Sequence, residues 1–271
     1  MTTGGQGIGA SVLRREDTRF LTGTGRYVGD IELPRMVDVA FVRSPMAHAR
    51  IGEIEIDESV RRWVFTAADL EGVTPIVPPS SLPGHRIPPY PAMASGRTLF
   101  VGQILAACVA GSRALAEDLA ETVMPDLDPL PVVASVEAAL APDAPLVHVD
   151  WGTNLSVETL FDSGIDEVAS AAPVRVSRNL AMARQAMVPL EGKGVVADWD
   201  TRLDQLVVYS STQSPHLIRN ALSTCLGLEQ RRIRVIAPDV GGGFGFKAIL
   251  QAEEVIVAWL AMRLKRPVRW I

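Results

Sequence analysis

The central segment of this chain is residues 233–265, which read IRVIAPDVGGGFGFKAILQAEEVIVAWLAMRLK. Three of its first four residues, Ile233–Ile236, are β-branched and apolar, as is typical of a buried strand. Residues 238–247 contain four glycines, and a backbone without Cβ atoms can adopt positive φ and approach a ligand closely. The long apolar segment that follows favours a helix, so the predicted order is strand, glycine loop and helix.

The predicted helix spans residues 248–264 and has apolar side chains on most of its circumference, which indicates burial on nearly every side. Amides in the first turn of a helix lack intrahelical partners and lie at the positive end of the dipole, so they suit an anion or an oxo group. Arg263 and Lys265 lie near the other end, and Pro267 stops the helix. Residues 268–271 then favour a return to the sheet.

The glycine loop, residues 241–245, does not match the common fingerprints for dinucleotides or nucleotide phosphates. Its first three glycines are contiguous, and Lys247 is followed by Ala248 instead of the Ser or Thr of a P-loop. A tight turn without a ligand is the simplest interpretation of an arbitrary glycine loop. A nucleotide-binding module is the weakest of the functional alternatives.

Length and composition limit the remaining possibilities. A chain of 271 residues can bury a sizeable core, and its 48% hydrophobic and 21% charged residues indicate a globular protein of one large or two ordinary domains. The net charge of −5 and the lack of a basic cluster disfavour nucleic acid and anionic membranes as partners. Cys108 and Cys225 are isolated in apolar surroundings, which predicts buried reduced thiols and a cytoplasmic protein. Neither a signal peptide nor a membrane span is expected.

Four segments are predicted along the chain. Residues 1–18 form a flexible N-terminus, residues 19–140 a small α/β domain, residues 141–178 a linker rich in turn formers, and residues 179–271 an incomplete second domain. A proline-dense segment, residues 73–94, predicts an extended surface loop. The predicted strands are residues 36–43, 51–56, 61–66, a pair within 99–110, 124–133, 195–200 and 206–211, and the predicted helices are residues 112–121 and 216–226.

Two blocks of sequence carry a specific resemblance. Residues 212–216 read TQSPH, and residues 233–247 read IRVIAPDVGGGFGFK. Together they resemble the molybdopterin-binding subunit of the xanthine oxidase family, in the branch of carbon monoxide dehydrogenase large subunits and aldehyde oxidases. Residues 14–30 are similar to the opening of the family's hammerhead domain. The resemblance implies an α+β fold, with an α/β hammerhead domain followed by the first part of a molybdopterin-binding domain.

The resemblance also implies a set of cofactor-binding residues. A glutamine at the position of Gln213 lies beside the apical oxo ligand of molybdenum in this family, although its position alone favours a structural amide. Gly242, Gly243, Phe244 and Gly245 correspond to residues that place backbone amides and an aromatic face against the cofactor, whereas Phe244 taken alone reads as a core aromatic. No direct metal ligand is expected. Where purine-oxidising relatives carry a substrate-binding glutamate this chain has Ala248, which disfavours purines.

Other candidate residues have simpler structural interpretations. His48 has no second ligand at metal spacing, so a structural role is favoured. Glu191 is a lone carboxylate in an apolar block, and a hydrogen bond to nearby backbone is favoured over a general base. His216 and Arg219 lie one helical turn apart and could share a ligand, but a plain pair on the helix face is favoured.

The function implied by the resemblance is oxidation of an aldehyde, an aromatic heterocycle or carbon monoxide by hydroxyl insertion. The implied cofactor is molybdopterin, or its cytosine dinucleotide form, with molybdenum. Electrons would pass to iron–sulfur and FAD subunits in a dimer of heterotrimers. The family's glutamate base is expected beyond Ile271, so no catalytic residue is assigned here. We therefore expect a fragment, or a split subunit whose C-terminal half is a separate chain; a non-catalytic scaffold half is the alternative.

Overall fold

A computed structural model describes residues 7–160, 164–183 and 185–271 of the protein. The strands are β1 (Val37–Arg43), β2 (Ala49–Glu55), β3 (Val64–Thr66), β4 (Arg97–Thr98), β5 (Ile104–Ala110), β6 (Met124–Pro129), β7 (Val195–Asp200), β8 (Gln205–Ser210), β9 (Ile233–Ile236) and β10 (Val268–Trp270). The α-helices are α1 (Asp17–Leu21), α2 (Arg113–Glu121), α3 (Val136–Leu140), α4 (Ile165–Ala171), α5 (Pro215–Leu226) and α6 (Ala252–Leu264). No helix in the described part of the chain is long and apolar enough to span a membrane.

One seven-stranded sheet contains strands from both predicted domains. Its order is β3-β5-β1-β10-β7-β8-β9, and β1 pairs in parallel with β10, so that Asp38 lies opposite Arg269. The Arg269 guanidinium donates to Asp38 Oδ1 at 2.7 Å, and this bond raises the pKa of Arg269. A smaller sheet of order β4-β2-β6 lies in the N-terminal part. The predicted domain limits stay a prediction. The main sheet contains strands that lie on both sides of these limits in the sequence.

Helix α6 is buried almost completely, as its sequence predicts. Val255, Ile256, Val257 and Leu260 have no exposed surface, and the helix packs against β7 and α5. The predicted start at residue 248 is wrong, because α6 begins at Ala252. The carboxylate of Glu254 accepts a hydrogen bond from the Gln251 backbone amide at 3.0 Å and caps the helix there. Residues 246–251 therefore separate the glycine loop from the first-turn amides of α6.

Several other predicted elements need correction. Residues 99–110 contain one strand, β5 (Ile104–Ala110), instead of the predicted pair, because Gly102 at φ +89° and the bond from the Leu99 amide to Gln103 Oε1 make a turn before it. The strand predicted to reach residue 133 ends at Pro129. Two short helices interrupt the predicted linker, α4 and a 3-10 turn at Val149–Trp151.

The predictions for the proline-dense segment and for the second domain agree better with the structure. Residues 73–94 contain a single bridge between Ile76 and Tyr90, but the end of this segment is in the core instead of on the surface. The hairpin of β7 and β8 is confirmed. Pro215 occupies the first turn of α5, one residue before the predicted start of this helix.

Cys108 and Cys225 are free and buried, as predicted, and burial raises the pKa of the Cys108 thiol to about 12. The N-terminal segment predicted to be flexible lies partly outside the described residues, but α1 already begins at Asp17.

Candidate cofactor-binding site

The carboxylate of Glu191 joins three segments of the chain. Its Oε2 atom accepts hydrogen bonds from Ser211 Oγ at 2.7 Å, from the Gly241 amide at 2.7 Å and from Lys247 Nζ at 2.8 Å. The favoured interpretation of Glu191, a hydrogen bond to backbone, is confirmed. Sequence reasoning missed its ion pair with Lys247, because the two residues are 56 positions apart and no local pattern connects them.

The same contacts decide the charge state of Glu191. Burial raises the pKa of this carboxyl, but the hydrogen bonds from Lys247, Gly241 and Ser211, together with the Lys247 charge, hold it below its usual range. The Lys247 side chain is completely buried, and an unpaired ammonium there would carry a large desolvation cost. Glu191 is therefore an ionised anchor for the glycine loop, and its protein contacts do not suit a general base.

Gln213 lies against the glycine loop. Its backbone amide donates to the Lys247 carbonyl at 3.0 Å, and Thr212 Oγ1 donates to the same oxygen at 2.9 Å. The side-chain Oε1 of Gln213 accepts the Gly245 amide at 3.0 Å. With the amide assigned in this way, its Nε2 donates no hydrogen bond within the described protein and remains available to a ligand.

The glycines of the loop are required by close approach and by backbone conformation. A Cβ added to Gly243 would lie 2.4 Å from Gln213 Oε1, and one added to Gly241 would lie 2.5 Å from Glu191 Cβ. Gly242 and Gly245 adopt φ of +97° and +88°, which L residues with a side chain rarely adopt. The loop is therefore built so that its backbone forms the surface beside Gln213.

Three consecutive backbone N–H groups of the loop have no acceptor among the residues that the structure describes. In the part of the chain that the structure describes, the amides of Gly242, Gly243 and Phe244 donate no hydrogen bond, whereas those of Gly241 and Gly245 do. These residues are partly or fully exposed, so this part of the loop lies at the protein surface. Such a row of donors suits oxo groups, phosphates or other anions. A molybdopterin cofactor fits this donor set.

Phe244 is not a core residue. Its side chain is 70% exposed, and its backbone has φ of +53°, which is uncommon outside glycine. The simpler interpretation of Phe244 as an aromatic packed under the loop is therefore wrong. Met187, Val188 and Leu190 are also exposed, and Met187 Sδ would lie 3.8 Å from a Cβ on Gly245. Met187, Pro189 and Phe244 thus form an apolar rim beside the loop.

A second buried ion pair lies behind the loop. Lys193 Nζ is 3.1 Å from Glu254 Oε1, and both side chains are at most 1% exposed. The contact is an ion pair without the alignment of a hydrogen bond, since Lys193 Nζ has no hydrogen-bond partner in the described protein. Glu254 also accepts the Ser210 hydroxyl and caps α6, so it connects β8 to the helix after the loop.

Asp239, just before the glycine loop, binds the N-terminal segment through hydrogen bonds and an ion pair. It accepts the Arg26 amide at 2.8 Å, donates its own amide to the Arg26 carbonyl at 3.0 Å, and binds the Arg19 guanidinium. Sequence reasoning gave Asp239 no such role, since its partners lie more than 200 positions away.

The remaining candidates do not join the site. His48 Nδ1 donates to the Pro131 carbonyl at 2.8 Å, as the structural interpretation expects. Arg219 contacts Asn220 and Gln230 rather than sharing a ligand with His216. The described residues contain no group of three or more His, Cys, Asp or Glu side chains that could hold a metal ion.

The fold and the loop define a protein that offers unused backbone amides, with the Gln213 side chain beside them, to a ligand that carries anionic or oxo groups. Comparison with known families agrees with this class. Residues 148–271 match the molybdopterin cofactor-binding domain, and residues 22–131 match the a/b hammerhead domain of aldehyde oxidase and xanthine dehydrogenase. The chain belongs to the xanthine oxidase family and carries sequence of its molybdopterin-binding subunit, which confirms the predicted fold class.

Similar proteins of this family match nearly the whole chain. The nicotine 6-hydroxylase large subunit of Paenarthrobacter nicotinovorans is 35% identical over 97% of this chain, and the carbon monoxide dehydrogenase large chain of Hydrogenophaga pseudoflava is 32% identical over 95%. The crystal structure of quinoline 2-oxidoreductase from Pseudomonas putida 86 matches 97% of this chain with a TM-score of 0.91 and 38% identity. The chain spans about a third of the length of each of these relatives.

Proposed function

We propose that this chain forms the glycine-loop side of the cofactor site in a molybdenum hydroxylase. The observation that carries this proposal is the row of unused amides at Gly242, Gly243 and Phe244 beside the free Nε2 of Gln213. All four groups are hydrogen-bond donors, as oxo and phosphate acceptors require. The relatives' names support the same chemistry, since they are hydroxylases, dehydrogenases and oxidoreductases.

Each residue of the site has a distinct part in this proposal. Gln213 and the amides of Gly242 and Gly243 would hold a molybdopterin cofactor, or its cytosine dinucleotide form, with molybdenum. Phe244 and the apolar rim would cover it and exclude water, which strengthens hydrogen bonds to the cofactor. Glu191 and Lys247 would keep the loop in place. When bound, the cofactor supplies the two-electron oxidation of the substrate.

The whole enzyme would contain more than this chain. We propose iron–sulfur and FAD subunits as electron acceptors, a dimer of heterotrimers, and a cytoplasmic location in keeping with the buried thiols. The general base and the remaining cofactor contacts would come from sequence beyond Ile271, on the same polypeptide or on a separate one. Candidate substrates at this level are an aldehyde, an aromatic heterocycle and carbon monoxide, since the relatives' names include the last two.

The test is to isolate the complete native protein that contains this chain, together with every polypeptide that co-purifies with it. We expect molybdenum and pterin in stoichiometric amounts, measured by elemental analysis and by fluorescence of the oxidised pterin. A Gln213→Ala variant should lose part of the metal. Native material with no molybdenum and no pterin after expression with the cofactor supply intact would overturn the proposal and favour a scaffold role.

A further inference from the structure

A cavity of about 400 Å³ lies between the smaller sheet and residues 145–149. Arg50 of β2 and Arg97 of β4 line it on the side of the sheet. The described residues that line it include none of the glycine loop, so the cavity is separate from the proposed cofactor site. Binding sites for small molecules commonly measure roughly 300–1,000 Å³, and this cavity falls in that range.

The two arginines of the cavity lie directly opposite each other. The antiparallel pairing of β2 with β4 makes Arg50 and Arg97 cross-strand partners, which places their Cβ atoms roughly 5 Å apart on one face of the sheet. Like charges in such a pair destabilise a sheet. Asp128 is opposite Arg50 on β6, yet neither guanidinium forms an ion pair or a hydrogen bond in the part of the chain that the structure describes. The fold thus holds two unpaired cations together.

Two histidines near this pair give further evidence of an unmet polar demand. Burial and the positive charge of Arg97 lower the pKa of His148, so the charge of this arginine extends to residues 145–149. His48 also lines the cavity, and its Nδ1 is fixed by the bond to the Pro131 carbonyl. Its Nε2 is buried and has no hydrogen-bond partner among the described residues. Buried polar atoms without a partner are uncommon in native proteins, and a hydrogen-bonding ligand at this wall would lower their cost.

The chemistry of the arginine pair selects a doubly charged oxyanion. A guanidinium is planar, stays charged at neutral pH and forms two parallel hydrogen bonds to a phosphate or a carboxylate. A phosphate group carries about two negative charges at pH 7, which matches the two arginines. Leu130, Leu146 and Val149 make other parts of the lining aliphatic, so the cavity also accommodates a small organic group attached to the phosphate.

We propose that Arg50 and Arg97 bind a phosphate group in this cavity, either as inorganic phosphate or as part of a small monoester. The inference rests on the charge pair and on the cavity, and it does not depend on the proposed function. The bound group would neutralise the two cations and remove their repulsion across the sheet. It would also stabilise the folded protein, because the unfolded chain does not hold the two arginines together.

The first test is isothermal titration calorimetry on the complete native protein that contains this chain, in phosphate-free buffer at constant ionic strength. The probes are inorganic phosphate, glycerol 3-phosphate and acetate. We expect one phosphate or one monoester per chain, and at least tenfold weaker binding of the singly charged acetate. The tighter of the first two probes identifies the source of the phosphate group. No binding of either, or equal binding of acetate, would overturn the proposal.

A pair of variants locates the binding. Arg97→Gln removes one charge from the cavity. Arg234→Gln is the matched control, because Arg234 is an exposed strand arginine on β9 whose side chain likewise has no partner among the described residues. Phosphate affinity should fall at least tenfold in Arg97→Gln and stay unchanged in Arg234→Gln. An equal loss in both variants would show general attraction to positive charge and would overturn the site.

Stability without phosphate separates a binding arginine from a structural one. Because Arg97→Gln relieves the repulsion with Arg50, we expect it to unfold at the same urea concentration as the wild type or at a higher one. Added phosphate should then raise the urea midpoint of the wild type and leave that of Arg97→Gln nearly unchanged. A variant that is less stable than the wild type in phosphate-free buffer would assign Arg97 a structural role and overturn the proposal.

Discussion

Lys247 Nζ and Glu191 Oε2 lie 2.8 Å apart, and this ion pair holds the end of the glycine loop against the segment before β7. The Lys247 side chain has no exposed surface, while that of Glu191 is 20% exposed. The same carboxylate binds the Gly241 amide at the other end of the loop. The loop is thus fixed at both ends by one side chain, and the amides between those ends remain free for a ligand.

Removal of the Glu191 charge should destabilise the protein strongly. Glu191→Gln leaves the buried Lys247 ammonium without its counter-ion, and breaking a buried pair from one side costs about 3–5 kcal/mol. The matched control is Glu117→Gln, which breaks the exposed pair between Glu117 and Arg113 and should cost less than about 1 kcal/mol. Urea unfolding of both variants measures the difference. Equal losses would show that the Glu191–Lys247 pair has no special role.

The contribution of Glu191 should depend on pH in a defined direction. Its pKa is lower in the folded protein than in the unfolded chain, so its stabilisation is complete above the unfolded value of about 4.3 and is lost as pH falls through the folded value. The gap in unfolding free energy between the wild type and Glu191→Gln should be constant from pH 7 to pH 5. It should narrow below pH 4. A gap that widens on acidification would contradict the assigned charge state.

Gly243→Ala should disturb the proposed cofactor site more than the fold. The new Cβ would lie 2.4 Å from Gln213 Oε1, and the displacement of Gln213 should cost about 1–3 kcal/mol and part of the bound molybdenum. Gly111→Ala is the control, because a Cβ there meets nothing within 4 Å and φ is not in the left-handed region. Metal analysis and thermal unfolding of the complete protein measure both effects. Full metal retention in Gly243→Ala would contradict the assignment.

Loss of Asp239 should release the N-terminal segment. Asp239→Ala removes the bonds to the Arg26 amide and to the Arg19 guanidinium, so we expect faster hydrogen exchange at Arg26 and faster tryptic cleavage at these arginines. Asp143→Ala is the matched control, since Asp143 is exposed and its carboxylate has no hydrogen-bond or ion-pair partner among the described residues. Unchanged cleavage in Asp239→Ala would show that other contacts hold residues 17–30.

Short-range features of this protein could be predicted from the amino-acid order because their causes are local. The strand Ile233–Ile236, the glycine loop and the apolar helix after it follow from side-chain periodicity and from the missing Cβ atoms. The β7–β8 hairpin and the buried cysteines follow in the same way. The paired motifs around Gln213 and Gly243 also identified the family, because their residue types and spacing are specific.

The remaining features depend on where distant segments meet. Sequence reasoning placed the start of α6 four residues too early, because the cap by Glu254 depends on a side chain shared with Ser210 and Lys193. The parallel pairing of β1 with β10 joins segments about 230 positions apart. Side-chain periodicity carries no information about such partners. The folded chain alone brought Glu191 to Lys247, exposed Phe244 and left the loop amides free, because burial and hydrogen-bond partners are properties of the packed structure.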